Sequence, residues 1–358
     1  MFYKTVLTVL CFLYGSIWSH ADDAQNKDTK DSTGIQSLRI VDTIHTKIGE
    51  VSTIAPDRCD ADGNIYMRPY AIGYRFGWGQ IQKYNLKGEN TATFSAQTGY
   101  LPAQFFVDGD GTVNVMAVDA KQLAEVMTRE VRAFPDIYIL RYKKDGTFDH
   151  KTKLEKTFVP SGSFVAFPTG EILVSGIEAQ TGSGKPPSTP FTGLFNESGE
   201  LLRRITNKDD DWIDKAVAAG DTTKVAPGRG ANPAVARGQA LIGSDGNAYI
   251  LRRTLPAIVY VISRGGGLVR TLSLSSGEPA RFPSIMLENQ GRLAIVFQNT
   301  GPSEPLLKIF DATTGKEKEV VNVATQFGAG VACFSPPTKL TFVRVEDGKF
   351  VFAVAESR

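Results

Sequence analysis

The sequence predicts an all-β chain in which one small, hairpin-built sheet is repeated around a closed ring. Three observations carry this expectation. Five phrases turn at a glycine reached through one layout: Cys59-Asp-Ala-Asp-Gly-Asn-Ile-Tyr66, Val107-Asp-Gly-Asp-Gly-Thr-Val-Asn114, Ala166-Phe-Pro-Thr-Gly-Glu-Ile-Leu173, Ile242-Gly-Ser-Asp-Gly-Asn-Ala-Tyr249 and Leu287-Glu-Asn-Gln-Gly-Arg-Leu-Ala294. A second glycine turn follows each one, at Lys87-Gly88, Asp145-Gly146, Ser198-Gly199, Gly265-Gly266 and Thr314-Gly315, so a repeat holds two hairpins and four strands. The chain then ends on a unit with only three strands, and an unpaired strand near its beginning can supply the fourth. A small sheet buries its faces only by stacking on its copies, so the repeat decides the architecture before any single residue does.

The elements follow in order. Lys4, the apolar run Val6 to Trp18 and the small-x-small site Ser19-His20-Ala21 read as a cleavable export signal over 1–21. Residues 22–36 are polar and read as a disordered tether. The propeller domain is expected over 37–358, starting with Leu38 to Ile44, which alternates like a half-buried strand. Leu123, Val126, Met127 and Val131 share a helical face, which predicts a short helix inserted in the second repeat. Asp211 to Ala219 reads as another, in the long connection before the fourth repeat. The final unit runs Val331 to Phe334, Leu340 to Val345, a turn at Asp347-Gly348, and Phe350 to Val354. Pairing Leu38 to Ile44 with that last strand closes the ring and hides an edge, giving a six-bladed β-propeller.

Bulk properties bound the function. With 358 residues, 42% hydrophobic and 22% charged, the chain has an ordinary globular composition. A formal charge of +2 provides no basic field, so nucleic acid is not an expected partner. After the leader, no stretch approaches the roughly 20 apolar residues of a spanning helix, so the expected location is periplasmic or secreted. Only Cys59 and Cys333 remain after cleavage, at nearly the same place in their repeats. They are either one disulfide across the ring closure or two buried thiols.

Asp60-Ala-Asp-Gly-Asn-Ile-Tyr66, followed by Ile81-Gln-Lys-Tyr-Asn-Leu-Lys-Gly88, resembles the six-bladed propellers of the NHL-repeat-like superfamily of exported bacterial proteins. The likeness covers most of the chain after the leader, although only the first, second and fourth copies keep the Asp-Gly turn. It implies a fold and not a substrate. Propeller enzymes of similar fold, the calcium-dependent gluconolactonase type and metal-and-histidine lyases, make a lactonase-like or lyase-like enzyme with a carboxylate-bound divalent metal the alternative function.

Tight glycine turns occupy one face of such a disc, so the long connections all emerge on the other: 70–79, 118–135, 178–190, 206–237 and 298–305. Seven residues back from each turn glycine, at the start of the innermost strand, stand Pro56, Gln104, Ser163, Gln239 and Ser284, with Gly330 the approximate sixth. Gln104, Ser163, Gln239 and Ser284 with Arg58 and Arg281 (and Arg237 nearby) are the candidate channel-mouth site, suited to an acidic or polyhydroxyl ligand. The same groups read equally as backbone caps and surface arginines. Tyr70, Tyr74, Arg75 and Trp78 form an aromatic loop that either stacks on a ligand or packs down on the disc.

Histidines after the leader number two, His45 and His150, and neither falls at a channel position. The lactonase type calls for a carboxylate where this chain reads Ile54-Ala-Pro-Asp-Arg58, leaving only Asp57. Asp209, Asp210, Asp211 and Asp214 read as helix capping, and Asp60, Asp62 and Asn64 lack the downstream glutamate of a calcium loop. Gly265-Gly266-Gly267 lacks the Lys-Ser or Lys-Thr of a phosphate loop. The expected function is a non-catalytic exported binder of a small molecule or partner protein, with no cofactor and no metal.

Overall fold

The computed structural model describes residues 36–49, 51–54, 58–71, 80–127, 134–179, 188–205, 219, 239–298, 304–324, 327, 330–335 and 338–357. The expected leader, most of the expected tether and almost all of the expected helix at 211–219 lie outside them. The strands are β1 (Gln36–Gly49), β2 (Val51–Ile54), β3 (Arg58–Cys59), β4 (Ile65–Met67), β5 (Pro69–Ala71), β6 (Ile81–Tyr84) and β7 (Asn90–Phe94). Next come β8 (Tyr100–Val107), β9 (Val113–Asp119), helix α1 (Ala120–Met127), β10 (Ile137–Tyr142) and β11 (Phe148–Lys153). They are followed by β12 (Val159–Ala166), β13 (Ile172–Ala179), β14 (Ser188–Phe195), β15 (Leu201–Arg204), β16 (Ala240–Ile242), β17 (Ala248–Arg252), β18 (Ala257–Ile262) and β19 (Leu268–Leu274). The chain continues through β20 (Phe282–Asn289), β21 (Arg292–Gln298), β22 (Leu306–Asp311), β23 (Glu317–Asn322), β24 (Val331–Ser335), β25 (Lys339–Glu346) and β26 (Lys349–Ser357).

The architecture is all-β and propeller-like. Four-stranded antiparallel meanders run β3-β4-β6-β7, β8 to β11, β12 to β15 and β16 to β19. A larger sheet has the order β20-β21-β22-β23-β1-β26-β25-β24. Within it β1 pairs antiparallel with β26, from Leu38 opposite Ser357 to Gly49 opposite Lys349, and meets β23 only at Gln36 and Ser37. The first strands touch in cyclic order, β3 to β8, β12, β16, β20 and β24 and back to β3, so they surround a common centre.

Packing explains the strand composition. Second strands such as β9, β17 and β21 are covered on both faces, which is why they read as nearly continuous apolar runs rather than alternating ones. Fourth strands such as β11 are largely exposed. Apolar clusters fill the seams between neighbouring sheets. Phe106, Phe164 and Leu194 share one cluster, and Ile65, Met67 and Tyr84 share another with Val343, Phe350 and Phe352. That second cluster joins the earliest meander to the last strands, with the Tyr84 and Phe352 rings edge to face at 5.9 Å. Helix α1 extends β9 and lays Leu123 against the core. Among the described residues, no helix is long and apolar enough to cross a membrane.

The second turns at Gly146, Gly199, Gly266 and Gly315 seat on the fourth strand of the preceding meander, whereas a methyl added at Gly348 would meet nothing within 4 Å. A methyl added at Gly199 would stand 2.0 Å from the Lys153 carbonyl oxygen of β11, so glycine is needed there for closeness as well as for its φ of +88°. Gly88 meets the His45 carbonyl of β1 in the same way, at 2.5 Å. Toward the β3-β4-β6-β7 meander, β1 therefore stands where a preceding fourth strand would.

Candidate binding site at the leading rim of the inner strands

The first strands of the ring begin on one rim, and several begin with a defect. Register shifts interrupt β8 between Pro102 and Gln104, β12 between Pro160 and Phe164, β20 between Pro283 and Ile285, and β24 between Val331 and Cys333. In three of them a proline precedes a small residue: Leu101-Pro102-Ala103, Val159-Pro160-Ser161 and Phe282-Pro283-Ser284. Proline brings no N–H to a ladder and is tolerated on an edge strand or at a bulge. Such bulges bend the strand and re-aim the side chains beside them.

The expected mouth residues lie on this rim. Gln104 follows the bulge of β8 and is half-buried, Ser163 lies in the irregular part of β12, Ser284 lies in that of β20, and Gln239 immediately precedes β16. Two of the four serve the backbone. The Ser284 hydroxyl donates to the Val296 carbonyl at 3.1 Å, and the Gln239 side-chain carbonyl accepts from the Met286 N–H at 2.6 Å. Gln239 thereby stitches its own meander to the neighbouring β20. Arg58 sits half-buried on β3. Arg281 directly precedes β20, its backbone N–H donating to the Ser276 hydroxyl at 2.8 Å. Its side-chain Nε is buried with no hydrogen-bond partner among the described residues.

Three further arginines occupy the same rim, at the ends of second strands. Arg68 is 2% exposed and reaches the Pro102 carbonyl at 3.5 Å. Arg253 donates from Nε to the Pro283 carbonyl at 3.0 Å. Both arginines therefore contact the carbonyl of a bulge proline in the next sheet. Arg252, 3% exposed, lies against the Tyr260 ring at 5.7 Å. Carrying the register five to seven residues past the turn glycines at 63 and 246 would have found all three.

The remaining expected site residues are less fully described. Tyr70 belongs to β5, which pairs with β2 as a separate two-stranded ribbon, an element that the sequence reading did not anticipate. Tyr74, Arg75 and Trp78 lie outside the described residues, as do Pro56, Asp57, Arg237 and Asp209 to Asp214. Cys59 and Cys333 are both thiols, and both pack in the cluster that joins β3 and β4 to β24 to β26. Among the described residues, no three His, Cys, Asp or Glu side chains are grouped as for a metal ion.

The opposite rim, formed by the tight turns, holds the acidic networks. Asp60 accepts from the Asn64 N–H at 2.9 Å and the Tyr66 hydroxyl at 2.9 Å, and pairs with Lys83 at 3.3 Å. Asp245 repeats the device with Asn247, Tyr249 and Arg270. Burial, then the carboxylate beside each one, raises both Tyr66 and Tyr249 above the ordinary phenol range. Asp108 differs, its carboxylate accepting from the Asn114 amide at 3.2 Å. Burial, reinforced by Asp110 and opposed by Arg141 and Asn114, pushes it up to about 7. An open surface depression of about 560 Å³ lies on this side, lined by His150, Thr152, Asn196, Glu197 and Ser198. A narrow extension reaches Asn114 and Arg141. The sequence reading assigned no site here.

No protein-family model matches the chain, and no curated protein matches it. Solved structures do. A protein of unknown function from Bacteroides caccae matches with 12% identity and a TM-score of 0.49, over 82% of this chain and 96% of that one. A luciferin-regenerating enzyme matches with 10% identity and a TM-score of 0.48, over 89% and 95%. The WD40 β-propeller domain of Doa1 matches with 11% identity and a TM-score of 0.43, over 89% and 97%. At these identities and TM-scores the similarities say nothing of activity.

Proposed function

We propose that the chain is an exported six-bladed β-propeller of NHL-repeat-like type, with β1 as the fourth strand of the last blade. In this reading it is a non-catalytic binding protein, and the rim where the inner strands begin takes a small anionic or polyhydroxyl ligand. Supporting the blade count are the cyclic contacts of the first strands and the seating of Gly88 on β1. The observation that carries the binding reading is Arg281. Its Nε is buried with no hydrogen-bond partner among the described residues, and a carboxylate bound at this guanidinium would add the charge-assisted bond that those residues do not give it. Gln104, on β8 of the same rim, offers a neutral donor and acceptor for ligand hydroxyls.

The test is a thermal-shift screen of citrate, gluconate and galacturonate, followed by calorimetry on the wild type and on Arg281→Gln. A ligand that binds only the folded state raises the melting temperature by mass action. The expected result is binding by at least one of the three, weakened roughly 10-fold or more in the variant, consistent with loss of a charged hydrogen bond. Equal affinity for the two proteins, or no binding by any of the three, would remove the assignment.

A further inference from the structure

Cys59 and Cys333 are 274 residues apart in sequence and stand on strands β3 and β24, which touch across the seam between the earliest and last sheets. Cys333 is buried, and its sulfur lies 4.0 Å from the carbonyl oxygen of Gly63. That glycine closes the turn that Cys59 leads into. The Gly63 N–H donates to the Asp60 carbonyl at 3.0 Å, and Asp60 follows Cys59 directly. Both thiols pack in one apolar cluster with Ile65, Met67 and Val343, and Cys59 is its partly exposed member. The seam is thus held by noncovalent packing, with Cys333 buried and Cys59 half-buried.

We propose that Cys59 and Cys333 form a disulfide that clasps this seam when the protein meets a thiol-oxidising disulfide. The chemistry is ordinary exchange. The Cys59 thiolate attacks the external disulfide, forming a mixed disulfide and releasing one thiolate of the oxidant. Cys333, as its thiolate, attacks the Cys59 sulfur and expels the second thiolate of the oxidant. Two protons and two electrons leave the protein in total, and the external disulfide is reduced to two thiols. The bond would join residues near opposite ends of the chain, where loop closure constrains the unfolded state most. Cys59, the less buried of the two, takes the first step, and the buried Cys333 resolves it.

The experiment treats the full chain with oxidised glutathione, then blocks remaining thiols under denaturing conditions and maps peptides by mass spectrometry. The expected result is a linked peptide pair containing residues 59 and 333, distinguishable from any product of Cys11, with a melting temperature raised by about 5 °C or more over the reduced protein. Dithiothreitol should reverse both changes. Cys59→Ser, which alters the more exposed partner and leaves the core sulfur in place, should fold and show no oxidation-dependent shift. A stable glutathione adduct on Cys59 with Cys333 still titratable would overturn the proposal. Two free thiols after oxidation would do so equally. Neither outcome bears on ligand binding at Arg281, which is tested separately.

Discussion

Among the described residues, Asp108 is an acid whose surroundings push its carboxyl above the ordinary range. Asp60 and Asp245, at other turns of this rim, are supplied with tyrosine hydroxyls and a cation, whereas Asp108 has the Asn114 amide, the charge of Arg141 and a neighbouring acid in Asp110. The folded carboxyl keeps its proton up to about pH 7, while the unfolded one releases it near 3.8. Its contribution to stability is therefore complete below about pH 4 and is lost as pH rises through 7. Asp108→Asn removes the titration. Urea midpoints measured from pH 4 to pH 8 should show the variant gaining on the wild type as pH rises, by up to about 4 kcal/mol. A difference between the two proteins that does not change with pH would contradict this account.

Among elements, the turns are not interchangeable, although all use glycine. At Gly246 a methyl would meet nothing within 4 Å, so only the φ of +77° resists substitution. At Gly199 the same methyl strikes the Lys153 carbonyl of the neighbouring sheet. Gly246→Ala should therefore cost about 1–2 kcal/mol, and Gly199→Ala about 2 kcal/mol more, as judged from denaturant midpoints. Equal losses would mean that the second turns do not seat on their neighbours. The glycine turns were legible because positive φ leaves a compositional mark. The ribbon of β2 and β5 was not, since strands of four and three residues paired across a connection carry no periodicity. The Pro-small starts of β8, β12 and β20 were present in the sequence, but a bulge shows itself only once a partner strand fixes the register. Gln239 was legible as a rim residue, and its bond to Met286 was not, because that bond depends on how two sheets pack.

For the molecule as a whole, the arrangement of sheets follows from burial. A meander with two apolar faces is stable only between neighbours, and the clusters at each seam provide them. The first and last meanders are the exception that a linear stack leaves open, and here they meet through Tyr84, Phe352 and Cys333. Sequence repetition made the like sheets readable, and the three-stranded final unit pointed to a missing partner. The identity of a ligand was not readable, because the rim is built from residues that also satisfy backbone and from arginines drawn from several strands.

The central claim is that β1 completes the last sheet and so closes the ring on which both the rim and the cysteine clasp depend. Amide hydrogen exchange measured along the chain tests it most directly. Protection across Leu38 to His45 comparable to that of Val351 to Ser357 is the predicted result, since these segments share one ladder. Exchange of Leu38 to His45 at the rate of an unstructured tail, with Val351 to Ser357 protected on one side only, would contradict it.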